Sequence, residues 1–443
     1  MLMKRDIYSA LSAWKATRNG KPLILQGARQ TGKTYILKEF GRKEYQNLIF
    51  CNFEKEPELC EFFRGNLNPK RLIELLSLYK KHSIQPGKDL LFFDEIQVSN
   101  EALTSLKYFN EEAPEYPIVA AGSLLGRTLS KPKSFPVGKV TMLTLYPMTF
   151  PEFLDAMGES QYRTLLESEH PLGPLPEPFH NALIELLKTY YFTGGMPEAV
   201  ASYAKFRDVE KVRAIQSDIL KTYALDFAKH IPSNDIPKLS IIWNAVPLYL
   251  ARENKRFIFA ALSKSARARD YEDALRWLQD AGLVHLAHAV TAVEQPLTGF
   301  ADRSAFKVYL LDVGLMGAMA RIAPDILVKP TEFFTTYHGA FVENYVAQQL
   351  KAMMPQDLCY WKSVSHKAEV DFILDKGGTV FPLEVKAGIN PRSKSLAAYG
   401  KRFAPPLALR TTLLNLKKNA NILNIPLYAI NFLPRFLQEA LKS

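Results

Sequence analysis

The feature that most constrains the fold is the segment 27–34, GARQTGKT, which fits the pattern G-x-x-x-x-G-K-[ST] at every fixed position. The apolar run 22–26 before it is typical of a buried strand, and residues 35–40 after it carry apolar side chains at helical spacing. Glycines let backbone N–H groups turn toward phosphate oxygens, and the dipole of the following helix adds positive potential. The sequence therefore predicts an α/β fold in which this loop forms an anion site. A glycine turn before an ordinary helix is the alternative.

We call residues 27–34 the phosphate loop. Lys33 is placed to reach the β- and γ-phosphates of a nucleotide, and the hydroxyl of Thr34 is placed to ligate magnesium. ATP and Mg²⁺ are therefore the predicted cofactors. The predicted nucleotide-binding residues are Gly27, Ala28, Arg29, Gln30, Thr31, Gly32, Lys33 and Thr34.

Two carboxylates end the apolar run 89–95 further along the chain. A central parallel strand delivers such acids to the carboxyl edge of its sheet. We expect Asp94 to hold the magnesium, directly or through water, and Glu95 to polarise the water that attacks the γ-phosphate. A third strand, 117–121, leads to Ser123. Ser123 either senses the γ-phosphate or the attacking water, or caps the next turn.

Length and composition indicate a globular protein of two to four domains, because 443 residues with 47% apolar and 23% charged side chains can form several cores. No apolar run reaches the length of a membrane span, and the N-terminus carries Lys4, Arg5 and Asp6 and lacks the apolar core of a secretory signal. The three cysteines show neither zinc spacing nor a disulfide framework. We therefore expect a cytoplasmic protein without a membrane partner.

The positive charge is concentrated at the end of the chain. From Thr379 onward the chain has ten Lys and Arg residues but only two Glu residues, and the net charge of the whole chain is +11. Such a segment attracts nucleic acid phosphates, although an ordinary solvated surface has the same composition. DNA is therefore a partner candidate, beside a protein partner or a second copy of the chain. The middle of the chain adds three arginines as a nucleic-acid signal: Arg267, Arg269 and Arg276.

Changes of pattern divide the chain into three predicted domains. Residues 1–155 alternate short apolar strands with helices, which indicates a parallel sheet covered on both faces. Residues 180–325 are mainly helical and end in two strand-like runs, 283–290 and 306–311. That order is the outline of a winged helix, and a helical lid that packs on the first domain is the alternative. Residues 331–443 form the third domain.

The third domain carries a second charged constellation. Because side chains alternate along a strand, Glu384 and Lys386 share a face, and Asp371 beside them would bring two carboxylates and a lysine together. That set can bind a divalent metal and activate water against a phosphodiester. A half-buried hairpin with a cross-strand ion pair is the alternative. The predicted helices and strands of this domain are 341–350, 358–362, 369–374, 380–386, 395–403 and 409–414, with a hairpin turn at Gly377–Gly378.

These motifs resemble a known architecture. The first part is similar to the AAA-like P-loop ATPases of bacteria and archaea that open with G-x-R-Q-x-G-K-T, followed by an acidic pair like Asp94–Glu95. The last part resembles the C-terminal domain of unknown function often attached to them, which is similar in outline to PD-(D/E)XK nucleases. Val370 stands where the nuclease pattern has proline. The residues that match the two patterns are Gly27, Arg29, Gln30, Gly32, Lys33 and Thr34, and then Glu343, Asp371, Glu384 and Lys386.

The residue patterns and the resemblance together predict an α/β protein with a P-loop NTPase parallel sheet, a mainly helical, winged-helix-like region and a small α/β nuclease-like domain. They predict a Mg²⁺-dependent ATPase. Two hypotheses follow for the whole chain. The chain is an ATP-driven enzyme that cuts DNA with its C-terminal domain, or an ATP-gated switch whose inactive nuclease-like domain binds DNA or a protein. The candidate catalytic residues are Glu95, Ser123, Glu343, Asp371, Glu384 and Lys386, and the candidate metal ligands are Thr34, Asp94, Asp371 and Glu384. Arg127, after the Ser123 turn, is the candidate arginine finger.

Overall fold

The computed structural model describes most of the chain, and its packing divides it into two compact units. The N-terminal unit is Leu2–Tyr146 with Asp280–Gly282, and the C-terminal unit is Pro147–Gln279 with Leu283–Ser443. The described residues are 3–17, 20–123, 138–168, 173–231, 235–251, 256–259, 268–322, 338–354, 356–363, 368–388 and 393–442.

The N-terminal unit is built on a five-stranded parallel sheet in the order β2-β3-β4-β1-β5. This confirms the predicted parallel sheet. The strands β3 and β4 are buried along their whole length, as continuous apolar runs in a central position should be. The five strands are β1 (Leu23–Gln26), β2 (Asn47–Asn52), β3 (Asp89–Asp94), β4 (Ile118–Gly122) and β5 (Thr141–Thr144).

Helices cover both faces of this sheet. The side chains of β3 alternate between two apolar clusters: Leu91 and Phe93 pack with residues of α4 and α5, and Leu90 and Phe92 pack with residues of α1 and α2. The alternation explains why the strand is apolar without interruption. The helices are α1 (Ile7–Thr17), α2 (Lys33–Glu44), α3 (Glu58–Phe62), α4 (Pro69–Lys80) and α5 (Asn100–Glu112).

The C-terminal unit is built on an eight-stranded mixed sheet in the order β12-β13-β11-β10-β9-β8-β6-β7. The turn at Gly377–Gly378 joins β9 and β10 as an antiparallel pair, as predicted. The eight strands are β6 (Val284–Val290), β7 (Ala301–Leu310), β8 (Leu358–Lys362), β9 (Glu369–Lys376), β10 (Thr379–Val385), β11 (Ala408–Thr412), β12 (Lys417–Asn419) and β13 (Ile422–Pro426).

The two strands predicted for the middle domain belong to this same sheet. β6 and β7 form an antiparallel pair, and β6 also pairs in parallel with β8. The ribbon therefore continues the sheet of the last segment, and the winged-helix assignment is not confirmed. The ranges 1–155, 180–325 and 331–443 stay a prediction. Of the three arginines proposed to signal nucleic acid, Arg276 is exposed, whereas Arg267 and the side chain of Arg269 lie outside the described residues.

Eleven further α-helices lie after β5 in the described part of the chain. Within the described ranges, no helix is long and apolar enough to cross a membrane. The helices are α6 (Phe150–Met157), α7 (Ser160–Glu167), α8 (Glu177–Thr193), α9 (Pro197–Phe206), α10 (Val209–His230), α11 (Ile236–Leu250), α12 (Ala268–Asp280), α13 (Val313–Met319), α14 (His338–Met353), α15 (Lys394–Phe403) and α16 (Leu433–Lys442).

A close backbone approach at Gly195 anchors the start of the C-terminal unit. The amide of Met148 donates to the carbonyl of Gly195 at 2.6 Å, and the Gly195 amide donates to the buried carboxylate of Asp312 at 2.6 Å. The hydroxyl of Tyr190 donates to the Met148 carbonyl at 2.5 Å. A Cβ atom on Gly195 would overlap that carbonyl, so only glycine fits here.

We therefore expect Gly195→Ala to destabilise the protein by about 1–3 kcal/mol, the usual cost of forcing extra volume into a packed site. The matched control is Gly400→Ala in α15, where an added Cβ meets nothing within 4 Å. That control should be neutral, or stabilising by up to about 1 kcal/mol, because alanine favours a helix interior. Thermal melting of both variants measures the difference. Equal melting temperatures would contradict the packing argument.

Candidate functional site

The phosphate loop connects the end of β1 to the start of α2. Gly32 adopts a φ of 94° directly before the helix. Inside the loop, the Thr31 hydroxyl donates to the Ala28 carbonyl at 2.9 Å. From outside, the Arg5 guanidinium donates to the Thr31 carbonyl at 2.9 Å and to the Tyr146 carbonyl at 2.6 Å. The loop is therefore held in shape both by its own hydrogen bond and by a buried arginine.

The ammonium of Lys33 lies inside the phosphate loop. It donates to the carbonyl oxygens of Gly27 at 2.9 Å and Ala28 at 2.7 Å, and Lys33 is only 8% exposed. Burial lowers the pKa of Lys33 to about 8, although the carboxylates of Glu95 and Asp94 oppose that shift. The charge is thus poorly solvated in this state, and an anion in the loop would stabilise it.

Asp94 stands opposite the loop at the carboxyl end of β3. The Thr34 hydroxyl donates to its two oxygens at 3.2 Å and 3.1 Å, and the Asn52 amide donates to Oδ2 at 3.1 Å. Burial and the neighbouring Glu95 raise the pKa of Asp94 above its ordinary value. A hydroxyl and a carboxylate side by side are oxygen ligands that fit Mg²⁺, which usually takes one or two carboxylates together with phosphate oxygens and water.

The two other predicted catalytic residues flank this pair. Glu95 follows Asp94 with a φ of 53°, a left-handed backbone that turns the chain directly after the strand, and the Gln97 amide donates to its carboxylate. Ser123 is buried after β4, and its hydroxyl accepts a hydrogen bond from Arg29 at 3.3 Å. The roles of Glu95 and Ser123 stay predictions. Arg127 lies outside the described residues.

Two residues of this site were missed from the sequence. Asn52 ends the short run 47–52, in which four successive apolar residues lead to a terminal amide, a usable signal for a strand with a polar tip. Arg5 gave no such signal, because a charged residue near an N-terminus is ordinarily solvated. The structure shows it 7% exposed, with its two hydrogen bonds to carbonyls about 115 residues apart in sequence.

The predicted constellation of the last segment also comes together. The Lys386 ammonium lies 2.7 Å from Glu384, in agreement with the shared strand face. The Asp371 carboxylate accepts a hydrogen bond from the amide of Val385, the residue between them, at 2.8 Å. Burial would lower the pKa of Lys386, but the carboxylates of Glu384, Asp371 and Glu343 outweigh it, so the pKa is raised. The catalytic roles of this group stay predictions.

A residue absent from the sequence prediction occupies the centre of this group. The Lys307 ammonium, from β7, lies 2.9 Å from Glu343, 2.8 Å from Glu369 and 3.8 Å from Asp371. Burial disfavours its charge, yet the surrounding carboxylates raise the pKa of Lys307 well above its ordinary value. A lysine inside the apolar run 306–311 was the signal, because such a residue is buried only with charge partners.

The carboxylates around Lys307 do not fit a metal site as they stand. Across the described ranges, no group of three or more His, Cys, Asp or Glu is placed to hold a metal ion. Glu384 keeps one buried oxygen, Oε2, without a hydrogen-bond partner in the described part of the chain. A single carboxylate oxygen beside a lysine does not make a divalent-cation site.

Solved structures resemble this chain only distantly. The Walker-type ATPase PABY2304 of Pyrococcus abyssi is 14% identical, with a TM-score of 0.45 over 72% of this chain and 96% of that one. The Thermotoga maritima RuvB Holliday junction branch migration motor is 15% identical, with a TM-score of 0.28 over 63% and 86%. Cdc6p from Pyrobaculum aerophilum is 14% identical, with a TM-score of 0.25 over 72% and 91%.

Family profiles match three parts of the sequence. Two of them describe domains of unknown function: DUF8612 over residues 184–325 and DUF4143 over residues 338–430. A comparison with curated proteins gives no match. The remaining profile is described as an AAA domain and matches residues 19–154, the part that holds the phosphate loop and Asp94. The N-terminal part of the chain is therefore similar to AAA domains.

Proposed function

We propose that the chain binds ATP with Mg²⁺ at the phosphate loop and hydrolyses it. The observation that carries this proposal is the meeting of two distant segments: Thr34, at the start of α2, donates directly to Asp94, at the end of β3. A structural glycine turn would have no need of a buried carboxylate opposite its threonine. Together with the inward ammonium of Lys33, the pair supplies a cation, a hydroxyl and a carboxylate around one anion site.

Each residue has a separate role in this proposal. Lys33 binds the β- and γ-phosphates, and Thr34 and Asp94 would hold the metal. Bound Mg²⁺ neutralises the charge that develops on the phosphate oxygens. Glu95 orients the attacking water and accepts its proton. Ser123, held by Arg29, senses the γ-phosphate or that water from the end of β4.

For the C-terminal unit we propose a binding role, gated by ATP, rather than DNA cleavage. The observation that favours this role is that Glu343 and Asp371, two of the predicted nuclease residues, already face the buried ammonium of Lys307. The exposed cations Lys394 and Lys401 of α15 suit a phosphate backbone. ATPase rates measured with and without DNA discriminate a DNA partner from a protein partner.

Glu95→Gln tests the proposed hydrolysis. The amide keeps the shape of the side chain but cannot accept a proton, so turnover should fall by roughly 10²–10⁴-fold while ATP affinity is kept. The control is Glu101→Gln, which removes an exposed carboxylate from the first turn of α5. Steady-state ATPase assays and ATP calorimetry on both variants give the answer. Unchanged turnover in a folded Glu95→Gln protein would place the base elsewhere.

The lowered pKa of Lys33 predicts that ATP binding takes up a proton. The pKa is about 8 in the free protein and rises when phosphate stabilises the ammonium. The affinity for ATP should therefore fall about tenfold per pH unit above pH 8. Calorimetry at pH 9 in two buffers with different ionisation enthalpies measures the uptake. Lys33→Arg, which stays charged, is the control, and it should show no uptake in this range.

Asn52→Ala tests whether this amide positions Asp94 for magnesium. Loss of a hydrogen-bond partner behind a metal ligand typically weakens metal affinity by about 10–100-fold, so half-maximal ATPase activity should need at least about tenfold more Mg²⁺. Asn47→Ala is a matched control, because Asn47 donates to Asp89 at 2.8 Å across the same two strands, at their opposite end. An equal magnesium requirement in the two variants would show that Asn52 is only structural.

A further inference from the structure

A cluster of carboxylates on and beside the C-terminal sheet surrounds the ammonium of Lys307. Lys307 is 1% exposed, and its ammonium lies 2.9 Å from an oxygen of Glu343 and 2.8 Å from an oxygen of Glu369. Asp371 is the third neighbour, at 3.8 Å. We propose that Lys307 takes the place that a divalent ion has in a metal-dependent nuclease, so that this cluster works without metal. The proposal deepens the binding role proposed for the C-terminal unit.

Distances show why a metal ion and this ammonium exclude one another. Mg²⁺ would need to lie roughly 2.0–2.1 Å, and Ca²⁺ roughly 2.3–2.6 Å, from the carboxylate oxygens that ligate it. Lys307 already holds an oxygen of Glu343 and one of Glu369 at hydrogen-bond distance. An ion that used the same oxygens would overlap the ammonium and be repelled by its charge.

The surroundings of the ammonium also suit a monovalent organic cation. The nitrogen lies 4.9 Å from the centre of the Tyr360 ring, within the range of a cation–π contact. The hydroxyl of Tyr309 donates to the same Glu343 oxygen at 2.5 Å and is fully buried. Magnesium keeps several water molecules when it binds to proteins, and the Tyr360 ring beside the ammonium supplies no such ligand.

Lys307 reduces the excess of negative charge in the cluster. The cluster contains four carboxylates, of Glu343, Glu369, Asp371 and Glu384, and two ammonium groups, of Lys307 and Lys386. Without Lys307, the buried Glu343 would lose the ammonium that lies 2.9 Å from it, and removing one partner of a buried ion pair is strongly unfavourable. Removing Lys307 should therefore open the cluster to an external cation.

The test measures Mn²⁺ binding to the full chain, without nucleotide, in a Lys33→Ala, Asp94→Asn background that disables the ATPase site. In this background we expect no Mn²⁺ bound by the cluster. Lys307→Met, which keeps the length of the side chain, should bind one Mn²⁺ per chain, at least tenfold more tightly than any residual Mn²⁺ binding of the background protein, and should regain thermal stability when Mn²⁺ is added. Electron paramagnetic resonance and melting curves report the two effects.

Lys386→Met is the matched control, because it removes the other ammonium of the cluster but leaves Lys307 in place. It should gain no Mn²⁺ site. A folded Lys307→Met protein that gains none would overturn the proposal. If that variant does not fold, the background protein still decides: Mn²⁺ bound there and lost on Asp371→Asn would show that the natural cluster takes a metal. None of these outcomes depends on ATP hydrolysis, so a failure here is distinct from a failure of the ATPase proposal.

Discussion

The proposed ATPase site depends most on the buried carboxylate of Asp94. It lies at the end of β3, separated from β1 in the sheet by β4, and the parallel arrangement brings the ends of these strands to one edge. A carboxylate that is 4% exposed persists only with hydrogen bonds, and Thr34 and Asn52 supply them. The bond from Thr34 also directs its oxygens toward the phosphate loop, so the hydrogen bonds that offset the cost of burial also orient the proposed metal ligand.

Each of the two charged sites contains a buried lysine ammonium, and the two sites stabilise its charge in different ways. In the N-terminal unit the negative pair Asp94 and Glu95 is opposed by Lys33, which is held by neutral carbonyls and has a lowered pKa. Its charge is incompletely matched, so the site favours an incoming anion. In the C-terminal unit Lys307 sits among carboxylates and has a raised pKa. Its charge is matched from within, so the site has much less to gain from an external ion.

Local patterns predicted the parts of the fold that form from neighbours in sequence. The phosphate loop, β3 and the hairpin of β9 and β10 each carry their signal within a few residues, and the structure has all of them. Sheet membership depends on pairing between distant segments: β6 pairs with β8, which follows it by about 70 residues, and no local pattern reports that. The site residues divide in the same way. Lys33 and Asp94 belong to motifs, whereas Arg5, Asn52 and Lys307 matter through partners that only the folded chain brings near.

The C-terminal segment shares its sheet with strands that precede residue 331. A fragment that begins near residue 331 would lose β6, which pairs with β8, and would expose the edge of that strand. It would also lose Asp312 and Tyr190, which bond to Gln348 of α14. Most importantly, it would lose Lys307 itself, because β7 precedes the cut. The carboxylates left behind would keep Lys386 but lack Lys307, and under our proposal they would then attract metal. Cleavage by such a fragment would therefore not show that the intact chain cuts DNA.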